Sequence, residues 1–553
     1  MFVTRTAAKR LLLLLPLWTT GFLLSPALPA ESRAKNVILM IADGSGFNTW
    51  NATGMYQGKL GKQPYDGPGW VKYGCSTYPL TRSTKPTGKD LQDRTLVYNP
   101  AKAWDSTALS LPDQGTGSQE TSPRETSPQE NHSKETSSQE AQSQEASPKE
   151  TSPFLGYRYL KSTPTDSAAA ATSMGAGVKT YDNAINWTNL NRSLAGRTIA
   201  EMAKKGGKRV GVVTTVPWAD ATPAALGGAH NVSRKNYAAI ANEMLNASHL
   251  DVILGAGHPD FDDDGRAPTV KKDYNRVGGL PTWNQLKSGT HPGGWSLVES
   301  KADFEALAAG PTPRKVLGIA QVATTLQQKR GKRPAAAPGV PVPKPFSCPF
   351  NRHVPTLETM TKAALNCLDD NPDGFFLMIE GGALDWANHC NQPERMIEEQ
   401  IDFLQAIEAV VHWVEKNSTW DETLLILTAD HETGLLWGPK SDKIAFDPIV
   451  DNGPGNLPGL KYNSTSHSNS LVPLYARGPG SERFAKLVRG ADATAAKKLG
   501  ISGQYVDNTD IFAAMQAALE PVRPREPAGV SRIRPWCGSE ILAGAALPDH
   551  RSN

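Results

Sequence analysis

Three acidic residues each stand at the end of a long apolar run. Asp43 ends NVILMIAD, Glu380 ends GFFLMIE, and Asp430 ends TLLILTAD. Runs of this apolarity are typical of strands buried on both faces, and open α/β sheets bind ligands beyond the carboxyl ends of their strands. A single acid there would more simply be a helix cap, but three at one sheet edge would repel each other without cations. The pattern therefore predicts a cation site.

Histidines supply further donor atoms. Asp385 and His389 are four residues apart, so they share one face of a helix. His431 directly follows Asp430, and His467 lies in the polar stretch STSHSNS ahead of the apolar run LVPLYA. Mixed carboxylate and imidazole ligands favour zinc, whereas an all-oxygen set favours magnesium.

Ser167 is the candidate nucleophile. The segment PTDSAAAATSMGAG places it after Asp166 and at the start of an alanine-rich helix. Free N–H groups and the helix dipole favour phosphate at such a position. This segment alone leaves a helix-capping serine as an equal alternative. Ser45, which follows Asp43 between two glycines, is a weaker candidate that more simply serves a turn.

The elements that must position these residues alternate along the chain. Further apolar runs cover residues 208–216 and 250–257, while residues 194–205 and 393–416 have helical spacing. Buried strands alternating with helices predict an α/β fold. We expect a three-layer α/β/α sandwich with a large, mostly parallel central sheet and loop insertions.

Several segments together resemble the alkaline phosphatase family. They occur in family order between about Lys35 and Pro479, and the tail YVDNTDIFAAM is also similar. The matching pieces are IADGSG, PTDSAAAATSMGAGVKTYDNAI, DATPAAL followed by NVSR, IEGGALDWANH, LTADHETG and the loop around His467. The resemblance does not cover the region from Asp260 to Pro313 or the two low-complexity stretches.

The resemblance implies a hydrolase of small phosphate monoesters with two zinc ions and one magnesium ion. It also implies a homodimer. Ser167 would accept the phosphoryl group and Arg234 would clamp it. The implied metal ligands are Asp385, His389 and His467 for a first zinc, Asp43, Asp430 and His431 for a second, and Thr222, Glu380, Asp43 and, through water, Asp220 for magnesium.

This sequence also departs from the family pattern. Trp386 follows Asp385 where family members variously carry lysine, histidine or tryptophan, and its combination with Asp220 is a mixed one. Phosphate affinity and magnesium dependence therefore do not follow from the resemblance. Ser167 lies 124 positions beyond Asp43, a long interval for the family, and a repeat occupies about 40 of those positions.

Two other functions remain open. A phosphodiesterase or sulfatase-like relative could use the same scaffold, although Arg234 would address oxygens that a diester has esterified. An inactive phosphate-binding surface protein is the alternative from another class, and the complete ligand set with Ser167 argues against it. The formal net charge of +3 gives no reason to expect nucleic acid as a partner.

Smaller features have simpler interpretations. Asp260, Asp262 and Asp264 form part of a calcium-loop pattern, but position twelve would be Lys271, so a solvated acidic turn is preferred over calcium. His230 is expected to be a structural neighbour of the phosphate clamp rather than a ligand. The five cysteines leave at least one unpaired if disulfides form.

The chain divides into a signal, a catalytic domain and insertions. Basic residues before the apolar run Leu11–Leu24 predict a secretory signal and a periplasmic or secreted protein, and no later stretch could span a membrane. A membrane anchor is the alternative, but the run is short for a bilayer span and contains Pro16. Residues 112–153 lack large apolar side chains and repeat glutamate every five residues, which predicts disorder. The expected boundaries are 1–30 for the signal, 31–111, 154–259 and 351–530 for the catalytic domain, 112–153 and 260–350 for insertions, and 531–553 for a tail.

Overall fold

The computed structural model describes most of the chain outside its two ends and the repeat. The described residues are 33–109, 152–269, 272–333 and 341–519. Several predictions lie outside these residues, namely the signal at 1–30, almost all of the repeat at 112–153, the tail at 531–553, Lys271 and Cys537.

Short strands and helices alternate through the described chain. The strands are β1 (Asn36–Ile41), β2 (Val71–Ser76), β3 (Arg209–Pro217), β4 (Val252–Ala256), β5 (Ser296–Val298), β6 (Val316–Ile319), β7 (Phe375–Glu380), β8 (Thr423–Thr428), β9 (Glu432–Thr433), β10 (Leu436–Trp437), β11 (Lys461–Tyr462), β12 (His467–Ser468), β13 (Val472–Arg477), β14 (Gly490–Ala491) and β15 (Gln504–Asp507). The helices are α1 (Phe47–Gln57), α2 (Pro100–Ala103), α3 (Leu155–Leu160), α4 (Ser167–Ala176), α5 (Ile199–Lys205), α6 (Ala221–Leu226), α7 (Tyr237–Asn246), α8 (Leu280–Lys287), α9 (Lys301–Ala309), α10 (Leu357–Leu368), α11 (Ala383–His389), α12 (Pro393–Asn417), α13 (Ala493–Leu499) and α14 (Thr509–Leu519).

Eleven strands form one central sheet in the order β14-β15-β2-β13-β8-β1-β7-β3-β4-β6-β5. Neighbours are parallel all the way from β8 to β5, whereas β13 runs antiparallel to both β8 and β2. The sheet is therefore mostly parallel, as expected. Because β1 lies between β7 and β8, the three acid-ended runs are direct neighbours.

The side chains of β1 show how the layers are built. Val37, Leu39 and Ile41 pack on one face of the sheet in a core that includes α4, α5 and α14. Ile38 and Met40 pack on the other face with α10 and α12. Successive side chains of a strand point to opposite faces, so a continuously apolar strand needs a helical layer on each side. The three-layer α/β/α sandwich is confirmed.

Two regions differ in detail from the sequence-based expectation. The helix expected over 194–205 begins only at Ile199, because Thr198 and Glu201 form a reciprocal capping box there. The segment 260–350 contributes α8, α9, β5 and β6, and β6 pairs with β4 to extend the central sheet. The partition into domains remains a prediction. No helix that the structure describes combines the length and apolar character needed to cross a bilayer.

Candidate active site

The three strand-end acids meet at the carboxyl edge of the sheet. Ile41 of β1 pairs with Glu380 of β7 on one side and with Thr428 of β8 on the other. Asp43, Glu380 and Asp430 are all buried. Among the described residues, Asp43 Oδ1 and Asp430 Oδ2 have no hydrogen-bond partner. Buried, unsatisfied carboxylate oxygens of this kind are a natural place for cations.

The pKa values of these carboxyl groups reflect their crowding. Burial, reinforced by the negative charges of Asp430 and Asp385, raises the pKa of Asp43 well above its ordinary value. Burial likewise raises the pKa of Glu380 to about 8 and that of Asp430 to about 6. A bound cation would reverse these shifts because it favours the ionised form of each carboxylate.

Asp385, His389 and His467 form a first donor group. The Nε2 atoms of the two histidines are 3.0 Å apart, and Asp385 carboxylate oxygens lie 3.3 Å from His389 Nε2 and 3.6 Å from His467 Nε2. His389 Nδ1 donates to the carbonyl oxygen of Thr465 at 2.6 Å, and His467 Nδ1 donates to that of Thr165 at 2.8 Å. Both Nε2 lone pairs therefore face the same point, which fits a zinc ion.

A second donor group surrounds His431. It comprises Asp43, Asp385 and His431, so Asp385 belongs to both groups. His431 Nε2 lies 3.2 Å from Asp430 Oδ2 and 3.7 Å from Asp43 Oδ1. These are the only groupings among the described residues in which three His, Cys, Asp or Glu donor atoms lie within 4.8 Å of one another. Shared donors suit a pair of neighbouring cations.

Ser167 faces this second group from the start of α4. Its Oγ lies 3.3 Å from His431 Nε2, and the side chain is buried. The helix cap is instead Asp166, whose carboxylate accepts the backbone N–H of Ala169 at 3.0 Å. The capping alternative for Ser167 is therefore excluded, and its hydroxyl is available to the donor cluster.

Arg234 is held beside the nucleophile helix. Its Nη1 donates to Asp166 Oδ2 at 3.2 Å, and its backbone N–H donates to the carbonyl oxygen of Asn183 at 2.8 Å. Asp182 accepts the backbone N–H of Asp166 at 3.3 Å. The neighbouring residues Asp182 and Asn183 therefore hold the backbones of Asp166 and Arg234, respectively. Burial disfavours the charged guanidinium, but Asp166 and Asp220 more than offset this and raise its pKa.

An oxygen-rich group lies around Glu380. The carboxylate accepts a hydrogen bond from Thr214. Burial raises the pKa of Glu380, and the Thr222 side chain acts in the opposite direction. Asp220, at the start of α6, belongs to neither three-donor group and instead bonds Arg276 at 3.1 Å. Hard oxygen donors of this type suit magnesium.

Sequence reasoning missed two basic residues, Arg276 and Lys329. Arg276 contacts Asp220, and Lys329 contacts Trp386. Lys329 Nζ lies 4.5 Å from the centroid of the Trp386 ring. Arg276 and Lys329 both lie in the 260–350 segment, which carries no motif of its own for this chemistry. Only proximity in the fold reveals them.

The weaker candidates have partners of other kinds. Asp262 Oδ1 accepts the backbone N–H groups of Asp264 and Arg266, and Asp260 pairs with Lys272. The three carboxylates of the weaker calcium alternative therefore do not form a donor group in the described structure.

Two further side chains are also accounted for. His230 Nδ1 bonds Glu243 at 2.9 Å, and Ser45 Oγ bonds Gln400 at 3.3 Å. The described cysteines, Cys75, Cys348, Cys367 and Cys390, are all free.

The sheet and the site together define the class of this protein, an α/β/α sandwich with a cluster of candidate cation ligands at the carboxyl edge of its sheet. The alkaline phosphatase family model matches residues 129–502. The chain therefore belongs to the alkaline phosphatase family, whose members are phosphoric monoester hydrolases.

Individual relatives are similar at moderate identity. Alkaline phosphatase 3 of Bacillus subtilis is 36% identical over 275 residues, which is 49% of each chain, so the match spans about half of that relative. Alkaline phosphatase 4 of the same organism is 30% identical over 393 residues, covering 59% of this chain and 74% of the relative. The alkaline phosphatase of Escherichia coli is 28% identical over 383 residues, covering 64% and 74%.

Solved structures agree at the level of the fold. The cold-active alkaline phosphatase of a psychrophilic Shewanella species superimposes with a TM-score of 0.53 at 21% identity, covering 88% of this chain and 100% of that one. The alkaline phosphatase of the Antarctic bacterium TAB5 gives 0.51 at 20% identity, covering 88% and 98%. At this identity the likeness shows the fold alone.

Proposed function

We propose that this protein hydrolyses phosphate monoesters by forming a phosphoserine on Ser167. The observation that carries the proposal is the position of Ser167 Oγ, which lies at the start of α4 and 3.3 Å from His431 Nε2. A hydroxyl in that place faces a cluster of cation ligands and also lies at the positive end of a helix dipole. Both features favour attack on a bound phosphoryl group.

The donor set supports two zinc ions and one magnesium ion as cofactors. Asp385, His389 and His467 would hold one zinc. Asp43 and His431 would hold the other together with Asp430, which lies outside the three-donor group but has its Oδ2 3.2 Å from His431 Nε2. When bound, these ions supply Lewis-acid charge to the attacking and leaving oxygens. For the third metal, Glu380 and Thr222 offer oxygen donors, and a variant of the TAB5 alkaline phosphatase is described with Mg bound in its M3 site.

The protein side chains perform the remaining tasks. Arg234 binds two non-ester phosphoryl oxygens with its guanidinium fork, and Asp166 orients that fork. Ser167 Oγ forms the new P–O bond as it loses its proton, and the ester oxygen leaves with its bonding electrons and takes up a proton. Water then attacks the phosphoserine, which releases inorganic phosphate and restores the Ser167 hydroxyl.

The substrate class follows from Arg234. A phosphate monoester has three non-ester oxygens, so one can face the metal ligands while the other two bind the arginine bidentately. A diester has only two non-ester oxygens and cannot make both sets of contacts. We therefore propose small phosphate monoesters as substrates. A phosphodiesterase or sulfatase-like activity is the alternative. A secreted or periplasmic location and a homodimer complete the proposal, the former from the predicted signal and the latter from the family resemblance.

The test is a metal analysis of the purified full chain alongside rates on p-nitrophenyl phosphate and bis-p-nitrophenyl phosphate across pH. We expect about two zinc ions per active chain and much faster turnover of the monoester. Faster diester turnover would support the alternative. An active sample with fewer than two zinc ions would overturn the mechanism, and an inactive metal-loaded protein would favour a phosphate-binding role.

A further inference from the structure

Asp220 has a cationic partner from outside the segments that resemble the family. Arg276 Nη1 lies 3.1 Å from Asp220 Oδ1, and the two side chains are only 15% and 11% exposed. Ion pairs this far removed from water have stronger electrostatic effects than surface pairs because solvent screens them less. The pair therefore sets the local charge at the start of α6.

The backbone around Arg276 is anchored rather than loose. Arg276 lies in a short helical turn, Asn275–Val277, in which Val277 is fully buried. The next residue, Gly278, accepts a hydrogen bond from the side chain of Asn242 on α7 at 2.9 Å. The Arg276 guanidinium also lies 4.7 Å from the centroid of the Tyr237 ring. The guanidinium is thus held between an aromatic ring and a carboxylate.

Asp220 connects Arg276 to the phosphate clamp. The Tyr237 ring that Arg276 contacts begins α7, only three residues after Arg234, so the ion pair lies beside the clamp. Burial lowers the pKa of Arg234, but the negative charges of Asp166 and then Asp220 raise it. The Asp220 carboxylate therefore attracts both Arg234 and Arg276. An unneutralised Asp220 would compete with a phosphate dianion for Arg234 and would also repel that dianion. Arg276 relieves both effects.

We propose that Arg276 is a positioning residue of the phosphate site, where its ion pair with Asp220 leaves Arg234 available to bind phosphate. The inference rests on the proposed function. Asp220 directly precedes α6 and stands two residues before Thr222, so the same ion pair also fixes a carboxylate close in sequence to the oxygen-rich group. In this chain, therefore, the partner of Asp220 is Arg276, which lies in a segment without a recognisable motif.

The first experiment measures inorganic phosphate binding by calorimetry on the metal-loaded full chain, together with KM and kcat for p-nitrophenyl phosphate. Arg276→Ala should weaken phosphate binding about tenfold and raise KM to a similar extent, with kcat changed less than about twofold. Arg276→Lys should keep part of the affinity. Arg266→Ala, an exposed arginine of the same segment, is the matched control and should match the wild type.

A double-mutant cycle separates positioning from a purely structural role. In an Asp220→Asn background, Arg276→Ala should cost less than about twofold more phosphate affinity, since the carboxylate through which it acts is gone. An equal tenfold loss in both backgrounds, or unchanged phosphate affinity in Arg276→Ala, would overturn the inference. Wild type that neither binds phosphate nor hydrolyses monoesters would overturn the proposed function as well, so the two failures are distinguishable.

Discussion

Ser167 Oγ lies 3.3 Å from His431 Nε2, although 264 positions separate the two residues in the chain. The contact exists because α4 begins at Ser167 and because β8 ends just before His431, at the same edge of the sheet. Asp166 performs the capping that Ser167 could otherwise have performed. This division of tasks gives the first prediction.

Ser167→Ala should abolish monoester hydrolysis while leaving the fold intact. We expect kcat/KM to fall by at least about a thousandfold, because the nucleophile is removed while the donor groups remain. Stopped-time assays with p-nitrophenyl phosphate measure the loss, and thermal unfolding checks the fold. Ser45→Ala is the control, since Ser45 bonds Gln400 rather than the donor groups. Activity retained in Ser167→Ala and lost in Ser45→Ala would reverse the assignment.

Removing metal should destabilise the protein more at high pH than at low pH. Burial raises the pKa of Glu380 from 4.5 to about 8 and that of Asp430 from 3.8 to about 6. A carboxyl group whose pKa is higher in the folded state favours folding when protonated, so metal-free stability falls as pH rises from about 4 to 8. Bound cations remove this penalty.

Differential scanning fluorimetry with and without a chelator measures the effect. The gap in Tm between the two samples should widen by roughly 5 °C or more between pH 5 and pH 8. Restoring zinc and magnesium should close it, and Asp430→Asn should weaken the pH dependence of the chelated protein. A gap that stays constant with pH would show that these carboxylates do not carry the effect.

Arg234→Ala should weaken phosphate binding without unfolding the protein. The guanidinium pairs with Asp166 and has the charge and fork geometry to hold two phosphoryl oxygens. We expect the inhibition constant for inorganic phosphate to rise by about tenfold to a hundredfold, corresponding to one charge-assisted contact. Lys235→Ala, which changes an exposed neighbour, should leave inhibition unchanged. If inorganic phosphate inhibits Arg234→Ala and Lys235→Ala equally, Arg234 does not bind phosphate.

His230 should make stability depend on pH in a different window. Although burial opposes its protonation, the neighbouring carboxylates of Glu201 and Glu243 raise the pKa of His230 from 6.5 to about 9. Stability from the charged imidazole is therefore complete below about pH 6.5 and is lost as pH rises through 9.

Between pH 6.5 and 9, the unfolding free energy of His230→Gln should decline less than that of the wild type. The difference between the two declines should be at most about 3 kcal/mol, measured by chemical unfolding. His412→Gln, at an exposed position, serves as the control. Parallel pH profiles for wild type and His230→Gln would contradict the prediction.

Much of the scaffold was predictable because its signal is local. The runs that became β1, β7 and β8 are apolar through their centres, and such continuity indicates a strand covered on both faces. The helix over 194–205 was predicted too long because apolar spacing continues past its true start. The capping box of Thr198 and Glu201 sets that start.

The sequence by itself predicted the buried runs that became β1, β3, β4, β7 and β8 and the acids that follow three of them, and it proposed the donors and Ser167 as candidates. Only the tertiary structure decided that Asp385 serves both donor groups, that Asp166 rather than Ser167 caps α4, and that Arg276 pairs with Asp220. The physical reason is distance along the chain. Periodicity and capping act within one or two helical turns, whereas Arg276 and Asp220 are 56 positions apart and meet because the turn at Asn275–Val277 packs on α7.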